Sequence, residues 1–336
     1  MMQSHAVEML ATSSAMFPQS EFEHSALEFR DSLSLEDSPQ RLDDSGPVFI
    51  MGCPRSGTTV LADCIGTLPN VISQIGILIP DRMMHLLGSG LVCPAIQEDL
   101  LWGQRYILWR WFLAEHVSRI AAVRDTIRKK KIRTLWRRGR SPAELVFAYK
   151  EPFLVFAAAL FAEHFKKAKF IDIIRDGRDC ADSMRRTYPH ALVDDVLKNP
   201  FLSRLKGSEI GVASPWRGWL LPWWLPKGSE EEFVHLQPFS RTVCMWQVMV
   251  RKGQELARSL GPDRLLQIRY EKLCRHPQEV GDRIQEFLGL SPSWAFRRIL
   301  RSLSPCSIGC HRRQDQEVLR EANRVGKPLL EELGYL

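Results

Sequence analysis

Residues 47–51, Pro-Val-Phe-Ile-Met, form a short apolar run of β-branched and aromatic side chains that stops at Gly52. That is the pattern of a buried strand. After Gly52-Cys53-Pro54-Arg55-Ser56-Gly57-Thr58-Thr59 the period changes, and Val60, Leu61, Cys64, Ile65 and Leu68 fall on one helical face. Strand, glycine loop and helix therefore follow in order. A second strand is predicted at 145–149, an apolar helix at 153–165, a third strand from Lys169 to Ile174 and a helix from Asp176 to Arg186. Further on, 242–260, 276–288 and 315–333 read as helices, and Arg264 to Ile268 reads as a strand. Strands alternating with helices predict a three-layer α/β fold, P-loop-like, with a mainly parallel sheet covered on both faces.

Two stretches break that rhythm and read as insertions on the sheet. Residues 82–140 are mostly helical in pattern, without clear strands. Residues 188–240 read as a loop-rich stretch, punctuated by Pro189, Pro200, Pro215, Pro222, Pro226 and Pro238. The second holds Trp216, Trp219, Trp223 and Trp224, more aromatic surface than a simple connection needs.

Composition changes the picture only by exclusion. With 45% apolar and 25% charged residues among 336, the chain is neither collagen-like, coiled-coil nor wholly disordered. It has no run of ~20 apolar residues and no secretory-type start, so it reads as soluble and cytoplasmic. Eight cysteines are too few for a disulfide scaffold. Cys306, Cys310 and His311 lack a second cysteine pair, so no metal is assigned.

Charge is uneven. Nine acidic and two basic residues put 1–46 at −7, leaving +14 on the remainder of a chain whose net charge is +7. Residues 1–46, ending at Ser45-Gly46, read as an acidic flexible tail ahead of a single domain over 47–336. Arg124 to Arg140 carries nine Lys or Arg against Asp125 alone, but lacks the repeated aromatics of a base-stacking surface, which argues against a nucleic-acid partner.

The glycine loop directs the chemistry. Gly52 and Gly57 have the spacing of a phosphate loop, whose backbone N–H groups and following helix favour an anion. Thr58, however, stands where a nucleotide triphosphatase has its lysine, and no strand ends in a magnesium-binding aspartate. The cation is instead Arg55, a fork of donors inside the loop.

Pro54-Arg55-Ser56-Gly57-Thr58-Thr59 resembles the 5′-phosphosulfate loop of the sulfotransferase family, which uses 3′-phosphoadenosine 5′-phosphosulfate (PAPS) as donor. Arg175-Asp176-Gly177-Arg178-Asp179-Cys180-Ala181-Asp182-Ser183 is similar to the family's 3′-phosphate motif, an arginine with a serine eight residues on. A residue at a strand end and one two turns into the next helix can converge on one phosphate. Arg269-Tyr270-Glu271-Lys272-Leu273 resembles a third family element, which implies that Tyr270 lies near the adenine. Ser307-Ile308-Gly309 with Arg312, and then Leu333-Gly334-Tyr335, are similar to the C-terminal region of bacterial and tyrosylprotein-type members.

The resemblance implies sulfuryl transfer from PAPS to a hydroxyl or amine, without a metal. Arg55, Lys150 and Glu151 are the expected catalytic residues, and Pro54, Arg55, Ser56, Gly57, Thr58, Thr59, Arg175, Ser183 and Tyr270 the expected donor-binding ones. Lys150 belongs to Tyr149-Lys150-Glu151-Pro152, which looks like a family element. Many relatives carry a glutamate after a segment like Leu68-Pro69-Asn70-Val71, where this chain reads Ile72-Ser73-Gln74-Ile75-Gly76-Ile77. Glu151 is the first substitute for that base, with Asp81 and His85 as others; Glu151 could equally cap the helix that follows. The tryptophans admit two readings, an apolar acceptor such as a lipid or glycan with peripheral membrane contact, or a lid packed on its own core. A donor-binding protein without catalysis and a P-loop kinase or hydrolase remain as alternatives.

Overall fold

The computed structural model describes residues 46–74, 81–90, 92–117, 145–206 and 212–336. The acidic stretch 1–45, Ile75 to Ile77 and the basic run 124–140 lie outside the described residues.

Strand β1 (Val48–Met51) leads through the glycine loop into helix α1 (Thr58–Ile65), and β2 (Val71–Gln74) follows. Helices α2 (Asp81–Gly88) and α3 (Pro94–Val117) precede β3 (Val146–Lys150). A 3-10 turn at Pro152–Phe156 and α4 (Ala158–His164) lead to β4 (Lys169–Ile174) and α5 (Gly177–Thr187). The proline-rich stretch is built from α6 (Asp194–Lys198), α7 (Pro200–Lys206), the antiparallel pair β5 (Val212–Trp216) and β6 (Trp219–Pro222), and α8 (Glu230–His235). Then come α9 (Pro238–Leu260), β7 (Leu265–Arg269), α10 (Tyr270–Arg275), α11 (Pro277–Leu288), α12 (Trp294–Arg301) and α13 (Gln316–Glu332).

The main sheet runs β2-β3-β1-β4-β7 with every pairing parallel, as the alternation of strands and helices predicted. Successive side chains of a strand point to opposite faces, and β1 divides its residues accordingly. Val48 and Ile50 join Leu61, Ile65, Ile171, Ile284, Phe296 and Leu300 in the core cluster formed with α1, α11 and α12. Phe49 instead meets Phe161, Phe165 and Phe170 at ring distances of 5.4–5.5 Å.

Several parts of the fold depart from the sequence reading, among them the short helix α10. Strand β2 was not anticipated: with four residues, only the first two of them buried, it has too little pattern to register. Helix α12 was likewise missed, because it buries only Phe296 and Leu300. The region read as loop-rich contains three helices and a hairpin, organised by the buried Arg241 at the start of α9. Its guanidinium donates to the carbonyls of Phe233 (3.0 Å), Leu192 (2.8 Å) and Val234 (2.7 Å) and to Asp194 (2.8 Å). A guanidinium can be buried when its donors are satisfied in this way, and here it replaces the hydrogen bonds that regular structure would supply.

Candidate functional site

Parallel strands present their carboxyl ends on one edge of a sheet, and that edge gathers the segments singled out in the sequence. The glycine loop leaves β1, Lys150 and Glu151 end β3, Arg175 follows β4, and Tyr270 follows β7.

In the loop, Arg55 (φ 72°) and Gly57 (φ 104°) both take left-handed backbone on either side of Ser56, whose N–H donates to the Cys53 carbonyl at 3.0 Å. Gly57 must be glycine twice over, because a methyl there would also stand 2.6 Å from the Tyr270 ring. It offers no capping side chain, and the first turn of α1 holds no acidic residue. The N–H groups of that turn are thus left for an anion.

The two separate motifs meet directly. Arg55 Nε donates to Ser183 Oγ at 3.1 Å, and Arg175 Nη1 donates to the Arg55 carbonyl at 3.1 Å. Arg175 also donates to the Ser307 carbonyl at 2.5 Å, and its guanidinium lies 4.6 Å from the Tyr270 ring centre. Tyr270 Oη and Ser307 Oγ are 2.9 Å apart. Two polar atoms at this junction, Ser56 Oγ and Arg175 Nε, are buried without a hydrogen-bond partner. Buried polar atoms of this kind need a partner, which a bound anion would supply. Pro54 is half-buried, Thr58 is buried and Thr59 is exposed.

On the β3 side, Lys150 Nζ is pushed below its ordinary range by burial, with Arg55 adding to the effect and Glu151 opposing it. Glu151 is buried, and its Oε1 accepts from Phe153 N–H at 3.0 Å, capping the 3-10 turn. His85 stacks on Trp223 with centroids 4.8 Å apart, and Trp223 packs edge-on against Phe156 at 4.6 Å. Burial lowers the His85 pKa. Asp81 opens α2, and its side chain lies outside the described residues.

Residues 47–197 match a family described as the sulfotransferase family. Over that span, a little under half of its length, the chain is similar to the sulfotransferase family. The glycine loop, the Arg175–Ser183 segment and the Lys150-Glu151 pair fall within the matched span. Among solved structures, the sulfotransferase domain from the Synechococcus PCC 7002 olefin synthase is 16% identical, over 84% of this chain and 94% of that one, with a TM-score of 0.44. Sulfotransferase STF9 from Mycobacterium avium is 15% identical, over 89% and 80%, at 0.44. A sulfotransferase from Alicyclobacillus acidocaldarius is 16% identical, over 86% and 94%, at 0.42. No curated protein matches the chain.

Sequence reasoning missed two supports of this cluster at the sheet edge. Trp246 of α9, fully buried, donates from Nε1 to the Arg175 carbonyl at 2.8 Å, and its ring fills the space where a side chain at Gly177 would lie. Asp179 accepts from the backbone N–H groups of Gly309 (2.8 Å) and His311 (3.1 Å), and lies 2.6 Å from His311 Nδ1. Burial disfavours its charged form, but these bonds prevail and carry the carboxyl down to about 2. Neither contact leaves a local spacing to read, since each joins residues far apart in sequence. The tryptophans meet the chain's own residues. Trp224 packs against Phe233, Trp219 lies 4.1 Å from Lys198 Nζ, and Trp216 lies 4.9 Å from the Arg217 guanidinium. No described helix is long and apolar enough to cross a membrane, and no described cluster of His, Cys, Asp or Glu would hold a metal ion.

Proposed function

We propose that the protein transfers a sulfuryl group from PAPS to a hydroxyl or amine acceptor of lipid or glycan character. The observation that carries this reading is the Arg55–Ser183 hydrogen bond, which joins the loop expected to hold the 5′-phosphosulfate to the helix expected to hold the 3′-phosphate. The unpartnered Ser56 Oγ and Arg175 Nε at that junction fit a doubly anionic nucleotide. PAPS bound there supplies the sulfuryl group and a phosphate leaving group. The chain's own part is electrostatic. Arg55 and the first N–H groups of α1 face the charge that builds on the leaving side, and Lys150 adds a cation beside them. Arg175, Ser183 and Tyr270 hold the nucleotide end.

Glu151 is the proposed base for the acceptor. A carboxylate can accept several hydrogen bonds at once, so capping the Phe153 N–H does not bar it from taking a proton, and Lys150 stands beside it in sequence. The capping bond also favours a second reading, a donor-binding protein whose Glu151 is purely structural.

Calorimetric titration with 3′-phosphoadenosine 5′-phosphate (PAP), without magnesium, tests the donor site. Micromolar binding by the wild type, lost in Arg175→Ala, is expected. Binding of ATP with magnesium in its place would make this a kinase or hydrolase. Incubation with labelled PAPS separates the remaining readings, since hydrolysis or transfer requires a working site and the silent reading forbids both.

A further inference from the structure

Residues 333–335 lie against the turns that carry both nucleotide-binding side chains. Tyr335 Oη donates to Glu271 Oε2 at 3.0 Å, and the other oxygen of that carboxylate accepts from the Asp176 N–H at 3.0 Å. Arg178 Nη2 donates to the Tyr335 carbonyl at 2.8 Å while the same guanidinium grips the Asp176 carboxylate at 3.0 and 2.8 Å. Arg269 donates to the Leu333 carbonyl at 2.6 Å, and its guanidinium sits 4.3 Å from the Tyr335 ring centre. Asp176 follows Arg175 directly, and Glu271 follows Tyr270. The phenol of Tyr335 thus closes a bridge, through Glu271, between the ends of β4 and β7.

We propose that Tyr335 is a positioning residue for the donor nucleotide, holding Arg175 at the 3′-phosphate through the Glu271–Asp176 link. The inference rests on the donor-site reading above. Glu271 is only partly shielded, with 14% of its side chain exposed. Without the phenol its Oε2 keeps only the long 4.0 Å contact with Arg269 Nε, so the carboxylate can swing toward water or toward Arg269 and weaken the bond that Oε1 accepts from the Asp176 N–H. Arg175 keeps its bonds to the Arg55 and Ser307 carbonyls, but the turn that aims its unpartnered Nε at the ligand loosens. The effect should fall on the 3′-phosphate and not on the 5′ end, because the described contacts of Tyr335 run to Glu271, Arg178 and Arg269 and reach the glycine loop only by way of Arg175 and Tyr270.

The test compares Tyr335→Phe with wild type by calorimetric titration of PAP and of adenosine 5′-phosphate, which lacks the 3′-phosphate. The phenylalanine variant keeps the ring over Arg269 and removes only the hydroxyl. The expected result is a loss of about tenfold in PAP affinity, as for one hydrogen bond to a charged group, with adenosine 5′-phosphate affinity held within about twofold. An equal fall for both ligands would make Tyr335 a general structural support and overturn the proposal, as would no change for either. If wild type itself binds no PAP, the donor-site reading falls first and the positioning role falls with it. Thermal melts of the two proteins, coinciding within about 2 °C, are part of the expected result.

Discussion

Gly57 joins a left-handed backbone to close contact with the Tyr270 ring at the proposed nucleotide site. Its φ of 104° belongs to the left-handed half of the map, and the Tyr270 ring occupies the volume a side chain would need. Gly57→Ala should therefore displace Tyr270 and strain the loop at once. The expected outcome is a stability loss of about 1–3 kcal/mol in chemical denaturation and a fall of more than about tenfold in PAP affinity. Retained affinity would remove Tyr270 from the nucleotide site. That Arg55, Ser183 and Arg175 would come together was legible in the sequence because the signal lies in local spacing: glycines five apart, and an arginine with a serine eight on. Trp246 and Asp179 were not legible, since their partners lie across the chain and a buried indole or carboxylate looks the same in sequence whether it supports a site or a core.

Among the elements, the 3-10 turn at Pro152–Phe156 separates two roles that Glu151 combines. Its Oε1 caps the turn, and its place beside Lys150 makes it the proposed base. Glutamine keeps a carbonyl oxygen for the Phe153 N–H and cannot take a proton. Glu151→Gln should leave the melting temperature within about 2 °C and PAP affinity unchanged, while transfer falls by a factor on the order of 10²–10⁴. A variant that transfers at the wild-type rate would leave the cap as the residue's whole function and turn attention to His85, whose burial favours the neutral imidazole. Pro238 shows why the neighbouring stretch misled the sequence reading. Proline was read as a loop marker, yet at the first position of a helix it is favoured, and α9 begins there.

For the whole molecule, the parallel sheet was legible from strands and helices alternating in sequence, whereas the strand order had to be seen. Strand β4 carries a fully buried carboxyl that the proposed chemistry does not use. Asp172 lies on β4, paired to both β1 and β7, and burial raises its pKa to about 7 against a hydrogen bond from Gln267 Nε2 at 3.0 Å that works the other way. Between about pH 4 and pH 7 the folded protein holds a proton that the unfolded chain releases, so stability falls as pH rises through that window and levels off above it. Asp172→Asn resembles the protonated side chain and keeps an acceptor for Gln267. Its advantage over wild type should be small near pH 4, grow to a few kcal/mol by about pH 7, and stay flat beyond. Asp179 does not confound the comparison, because its depressed pKa places its own loss of stabilisation on the acid side of that window. Urea unfolding of both proteins across the pH series is the measurement. Parallel stability curves would mean that Asp172 ionises alike in the folded and unfolded states, which its burial between two strands argues against.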